Sequence, residues 1–292
     1  MPEIGKNSAK AWILAARPKT LSGAAVPVII ALSKSWADGN SINWIPALLC
    51  LLFAFVMQID ANFVNDYYDC VKGVDREDRL GPERACAQGW VSLSAMKRMI
   101  AATTLLAAVT GLPLICWGGM EMIAVGIACI VFCFLYTTLL SRVGMGDILV
   151  LLFFGIVPVC ATYFIQTQTL SPDVLLLSLS CGLVTDCLLV VNNYRDRETD
   201  RKAGKHTLIT LIGGNAAEWL YLTLGVAAVL LAAVPLKGHI AILAPWLVRH
   251  TSTWLRMKKI RYGRELNKIL GQTALNILLF GIVLSLSVIL FQ

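Results

Sequence analysis

Runs of about twenty apolar residues recur along this chain at short intervals, and that is the length an α-helix needs to cross the hydrocarbon core of a bilayer. Nine such spans are expected, near 11–32, 44–66, 96–117, 120–140, 146–167, 173–194, 213–235, 239–256 and 268–291. A chain of 292 residues with 57% hydrophobic and only 15% charged side chains cannot cover a water-facing surface, so a soluble globule is excluded. Lipid leaves no partner for an open backbone, which makes closed helices the natural solution for runs of this length. The expected fold is a single all-α integral membrane domain over residues 1–292. The N-terminal stretch has basic residues on both sides of its apolar patch and no A-x-A-like site, so the first span is expected to be retained.

The basic residues report orientation. Of the 25 Lys and Arg residues, 22 fall in the N-terminal segment and in the second, fourth, sixth and eighth loops with their flanks; Lys34 and Lys237 lie on the other side, and Arg249 within a span. By the positive-inside rule the N-terminus is cytoplasmic, the C-terminus is outside, and the two large loops face the cytoplasm. The net charge of +7 therefore reflects topology, not nucleic-acid binding. Nine cysteines lie mostly inside apolar runs without metal-ligand spacing and read as small core residues. "NDYYD" (65–69) also aligns with "NNYRD" (192–196), a short internal repeat that pairs spans one to four with five to eight and leaves the ninth over.

The two repeats carry most of the chemistry. In the sixth span Asn192, Asp196 and Asp200 recur every four residues and line one helix face; in the second span Asn62, Asn65 and Asp69 do the same, with Asp66 one position off. The second series breaks at Gly73, and its next acid is Asp75. Like-charged carboxylates 4 Å apart cost about 4 kcal/mol at an effective dielectric of 20, so cations must compensate them or they must stay protonated. Oxygen ligands of this kind suit Mg²⁺, which takes one or two carboxylates and leaves positions for phosphate oxygens. Lys72, Arg79, Arg84, Arg201, Lys202 and Lys205 share the same loops, and acids interleaved with such donors suit a diphosphate. A solvated loop of balanced ion pairs would use the same residue types.

Metal and diphosphate beside lipid point to ionisation of an allylic diphosphate to a carbocation, with the hydrocarbon tail left in the membrane. Tyr67, Tyr68, Tyr136 and Tyr194 near the span ends offer aromatic faces for the cation, or serve as interface anchors. Asp60 and Asp186 lie inside spans, where a carboxylate costs about 2.5–3.5 kcal/mol on insertion scales, so both should face a cavity; protonation, a partner such as Arg249, and substrate contact are the alternatives.

"NDYYDCVKGVD" together with "NNYRDRETDRKAGKHTL" resembles the paired aspartate motifs of the UbiA superfamily of intramembrane aromatic prenyltransferases. "ARPKTL" (16–21), "DRLGPERACAQG" (78–89) and "GMGDILVLLFFGIVPV" (144–159) resemble, more closely, the branch acting on 1,4-dihydroxy-2-naphthoate in menaquinone biosynthesis. The resemblance implies nine helices around a cavity open to lipid, capped on the cytoplasmic side by the 2–3 and 6–7 loops. It implies Mg²⁺ on Asn65, Asp66, Asp69, Asn192, Asp196 and Asp200, with Asp75 reaching the ion after a kink at Gly73 or through water. It places the diphosphate of a polyprenyl diphosphate on Lys72, Arg79, Arg84 and Lys205, and Tyr136 and Arg142 beside it. Catalysis would fall to Asp66, Asp69, Asp196, Asp200 and Tyr136, with Lys19 or Arg17 near the acceptor's carboxylate. The implied reaction, in a bacterial cytoplasmic membrane, joins the polyprenyl chain to the naphthoate with loss of pyrophosphate and CO₂. Another aromatic acceptor such as 4-hydroxybenzoate, and a cation-coupled transporter, are the competing readings.

Overall fold

The computed structural model describes residues 4–73 and 79–291. Among the described residues thirteen α-helices follow one another: α1 Ala9–Ala16, α2 Leu21–Ala37, α3 Trp44–Val71, α4 Leu93–Gly111, α5 Ile115–Gly118, α6 Glu121–Thr138, α7 Gly146–Leu151, α8 Val157–Thr167, α9 Pro172–Lys202, α10 Leu208–Ile212, α11 Gly214–Leu231, α12 Ala244–Ile260 and α13 Leu266–Leu290. Among the described residues the only β-type pairing is one isolated bridge, Val143 to His206. Helix starts follow local chemistry: the side chains of Ser8, Asn43, Ser92 and Ser171 each accept a hydrogen bond from a first-turn backbone N–H of α1, α3, α4 and α9. Pro172 then opens α9, where its missing N–H costs nothing.

Among the described residues, eight segments are long and apolar enough to cross a membrane: Ala9–Ala37, Trp44–Val71, Leu93–Gly118, Glu121–Thr138, Gly146–Thr167, Pro172–Lys202, Gly214–Leu231 and Leu266–Leu290. The remaining expected span, 239–256, is the 17-residue α12, which is shorter than the others and carries Arg249, Arg256, Lys258 and Lys259. It packs against α11 and α13 and buries Trp246, His250 and Trp254. The first span is also broken where a continuous helix was expected. Arg17 takes a left-handed conformation (φ 51°) and Pro18 opens a 3₁₀ turn over Pro18–Thr20.

Lipid supplies no hydrophobic drive between helices, so close contact has to come from small residues. A Cβ on Gly281 of α13 would lie 2.5 Å from Val26 of α2, and one on Gly155 would lie 2.5 Å from the Ser178 carbonyl oxygen of α9. Gly155 sits in a π-helical turn, Leu152–Ile156, that joins α7 to α8 and lays both along α9. The core so formed draws Val26 and Ile30 from α2, Tyr163 from α8, Leu177 and Cys181 from α9, and Phe280 and Leu284 from α13. Helix α9 is the longest element, about 46 Å at 1.5 Å per residue. A second cluster joins α1, α3 and α4 to Ala85, Cys86 and Val91, which seats the segment between α3 and α4 on the bundle.

Candidate active site

The last turns of α3 hold the first polar cluster. Asn62 donates to the Ala16 carbonyl (2.9 Å) and to the Thr20 hydroxyl (3.1 Å), tying α3 to the broken first span. The Asn65 amide oxygen accepts from the Thr137 hydroxyl at 2.5 Å. Asp66 is 1% exposed, and its two carboxylate oxygens accept from the backbone N–H groups of Ala85 (3.0 Å) and Cys86 (3.1 Å). Asp69 pairs with Arg84 at 2.9 Å. The helix stops at Val71 and Gly73 turns the chain at φ 63°, which places the expected break where the four-residue spacing fails. Asp75 lies outside the described residues. The Lys72 ammonium donates to the Thr138 carbonyl at 2.9 Å, and partial burial, with Arg142 nearby, holds it below the ordinary lysine range.

The second cluster lies on α9, whose helix runs unbroken through Asp200, so Asn192, Asp196 and Asp200 do share a face. Arg195, 1% exposed, organises it: its Nε and Nη2 donate to the two carboxylate oxygens of Asp196 (2.8 and 2.6 Å), its Nη2 also to Asn192 (2.8 Å), and its Nη1 to Asn267 of α13 (2.8 Å). Asp200 pairs with Lys205 at 3.5 Å. Segment 79–86 joins the clusters. At one end Arg84 meets Asp69; at the other, Gly81 lies so close to Arg195 that a Cβ there would sit 2.7 Å from its Nη2, and the Leu80 carbonyl accepts from Asn267 at 2.8 Å. Arg79 donates to the Pro82 carbonyl at 3.1 Å within the same segment.

Other candidates divide. Tyr136 lines a narrow polar cleft with Asp147, Asn193, Lys205 and Thr207. Arg142 is exposed at the end of a 3₁₀ turn, and its carbonyl accepts from His206 at 3.0 Å. Lys19 is exposed, whereas Arg17 lies in the electrostatic surroundings of Asp66, Asp69, Arg79 and Arg84, so of the two it is Arg17 that joins the first cluster. Tyr194 is buried with its hydroxyl donating to Glu218 (2.7 Å) and its ring under Arg197, which corrects its reading as a cation-facing aromatic. Tyr67 and Tyr68 pack edge to face. Asp60 accepts from Thr103 and Thr104 of α4, and Arg249 donates to Asn276 (2.7 Å), so these two do not pair. Arg195, Thr137 and Asn267 are contributors the sequence reading did not single out.

A helical membrane bundle whose two Asn/Asp clusters are drawn together at the ends of α3 and α9, with basic partners on the joining segment, has the frame of a membrane prenyltransferase. The chain belongs to the UbiA prenyltransferase family, whose model matches residues 24–270. It is 35% identical to the 1,4-dihydroxy-2-naphthoate octaprenyltransferase of Escherichia coli over 73% of this chain and 72% of that one. It is 31% identical to the Haemophilus influenzae protein of the same name, over 96% of both chains. In three dimensions it resembles a UbiA homolog from Archaeoglobus fulgidus bound to GPP and Mg²⁺, with a TM-score of 0.66 at 19% identity over 96% of this chain and 99% of that one.

Proposed function

We propose that this chain transfers a polyprenyl group from polyprenyl diphosphate to 1,4-dihydroxy-2-naphthoate, releasing pyrophosphate and CO₂ and forming demethylmenaquinol. The observation that carries the reading is similarity to two enzymes named for that acceptor, one over nearly three quarters of its length and the other over 96% of both chains, joined to a bundle that gathers both aspartate clusters. The transporter reading finds no support: the family is one of prenyltransferases, and both clusters sit at helix ends.

The donors at the two clusters are carboxylate and amide oxygens, the set a hard divalent cation takes. The Asp69, Asp196 and Asp200 side chains remain 23%, 20% and 13% exposed, so each keeps oxygen surface available beside its basic partner. In this reading Asn65, Asp69, Asn192, Asp196 and Asp200 hold Mg²⁺, and Asp66 holds the segment at 85–86. Mg²⁺ on the diphosphate would neutralise the leaving group as the C–O bond breaks. Lys72, Arg79, Arg84, Arg142 and Lys205 take the remaining phosphate charge, and Arg17 at the broken first span is the cation placed for the acceptor's carboxylate. The basic bias of the loops sets the site toward the cytoplasm, with the N-terminus on the same side, in a bacterial cytoplasmic membrane.

Incubating membranes that contain the protein with polyprenyl diphosphate and, in turn, 1,4-dihydroxy-2-naphthoate and 4-hydroxybenzoate, then weighing the products, tests the assignment. A decarboxylated prenyl-naphthoquinol is the expected product, and it should vanish in Asp69→Asn and Asp196→Asn proteins that still insert. Full activity in both variants would remove the metal assignment; product from 4-hydroxybenzoate alone would replace the acceptor.

A further inference from the structure

Two intramembrane carboxylates looked alike in the sequence, and the structure separates them. Asp60 is fully buried with hydroxyl donors on both oxygens, from Thr103 and Thr104, and so serves as a polar tie between α3 and α4. Asp186, at the middle of α9 and 4% exposed, has an oxygen with no hydrogen-bond partner among the described residues, and so does Asp147 at the start of α7. The packing of α7 on α9 brings these two together. Gly182 lies against Leu151, and one turn toward the cleft from each contact, in antiparallel register, come Asp186 and Asp147. Each carboxylate lies in the electrostatic surroundings of the same phenol, Tyr136. A buried carboxyl oxygen without a donor is costly, and two such oxygens on neighbouring residues are costlier, so the arrangement is built for something that donates.

The cleft next to them identifies the donor by size and surroundings. Asp147 and Tyr136 line it, Leu189 and Asn193 line it one and two turns along α9 from Asp186, and Lys205 closes it from the side that pairs with Asp200. It has room for a group the size of a hydroxyl, not for a whole ring. We propose that Asp147 and Asp186 recognise the phenolic hydroxyl edge of the aromatic acceptor, accepting its hydrogen bond while the rest of the ring stays toward the diphosphate end of the site. This rests on the reading above that the acceptor is a dihydroxylated aromatic acid. A phenol hydrogen-bonded to a carboxylate carries more electron density in its ring, which favours attack on a prenyl cation formed beyond Lys205. The pair thus selects for hydroxylated acceptors, and its contribution is separate from that of the metal and diphosphate groups.

The test uses the full chain in lipid nanodiscs with Mg²⁺ and polyprenyl diphosphate, comparing wild type with Asp147→Asn and Asp186→Asn. Each is assayed on 1,4-dihydroxy-2-naphthoate and on the two naphthoates that lack one ring hydroxyl, and binding of a prenyl thiodiphosphate checks the fold. The expected result is an acceptor KM raised roughly tenfold, since a hydrogen bond to the ring hydroxyl is lost, with the prenyl diphosphate KM unchanged. The wild-type preference for the dihydroxy acid over one monohydroxy analogue should collapse in the variants. An undiminished preference, or a changed Mg²⁺ or prenyl diphosphate requirement with the acceptor KM intact, would overturn the proposal. Wild-type turnover of 4-hydroxybenzoate in place of every naphthoate would instead refute the acceptor, and the same KM comparison on that phenol would then judge the pair.

Discussion

Replacing Asp66 by Asn separates two jobs that its motif runs together. Its carboxylate oxygens accept from two backbone N–H groups, Ala85 at 3.0 Å and Cys86 at 3.1 Å, in a site 1% exposed. An asparagine keeps one acceptor and turns an NH₂ toward the other N–H. One charge-assisted bond, worth about 1.5–3 kcal/mol, is lost and a donor is left facing a donor, for a total of about 2–4 kcal/mol. That penalty falls on the seating of segment 79–91, not on the helices, so the population with the segment lifted should rise roughly 30- to 1,000-fold. Limited proteolysis of the protein in nanodiscs reads this directly: Asp66→Asn should be cut in that segment far faster than wild type. Asp69→Asn, which faces the Arg84 side chain and no backbone donor, should be cut only slightly faster while losing activity. Equal cleavage of wild type and Asp66→Asn would refute the anchoring argument and return Asp66 to the metal set.

Gly81→Ala drives a methyl into Arg195, which has no free direction because Asp196, Asn192 and Asn267 hold it; kcat should fall about tenfold or more with the protein still folded, measured by turnover beside thermal unfolding. Lys72 is held below the ordinary lysine range by burial and Arg142, so affinity for prenyl diphosphate should fall with rising pH earlier than an ordinary lysine would allow. Lys72→Arg, charged throughout, should flatten that profile of donor KM against pH, and an unchanged profile would exclude Lys72 from donor binding. Chelation with EDTA should abolish turnover and added Mg²⁺ restore it, with thermal stability changing little because Asp69, Asp196 and Asp200 each keep a basic partner.

The helix pattern and the α9 register were legible because both rest on spacing alone. The same spacing argues against Tyr194 as a cavity aromatic: two residues from Asn192 and from Asp196 it lies some 200° around the helix, on the far face, where it meets Glu218. The break at Arg17 also carried a signal, since a residue preceding proline is pushed out of the helical region. Asp66 did not. Its partners lie 19 and 20 positions later, across a segment with no periodicity, and only tertiary folding makes them adjacent. Arg195 looked like one more loop cation because nothing in "NNYRD" says that its guanidinium folds back on its own neighbour. Asp60 and Asp186 are similarly placed in sequence, and what separates them is the facing helix: α4 offers Thr103 and Thr104 to Asp60, whereas α7 sets Asp147 near Asp186.

The length of α9 has a consequence for where the product ends up. A hydrocarbon layer of about 30 Å accounts for roughly twenty of its residues, counted from Pro172 to about Val191. On that count the acidic face from Asn192 to Asp200 would begin at the level where oil gives way to headgroups. On the proposed function, charged leaving groups would be released toward water at that boundary, while a prenylated ring formed just beneath it would already be in the solvent that suits it. Departure of the two products is then a partition between phases, each moving away from the other, and the lipid product needs no route through water to reach the membrane in which it will work.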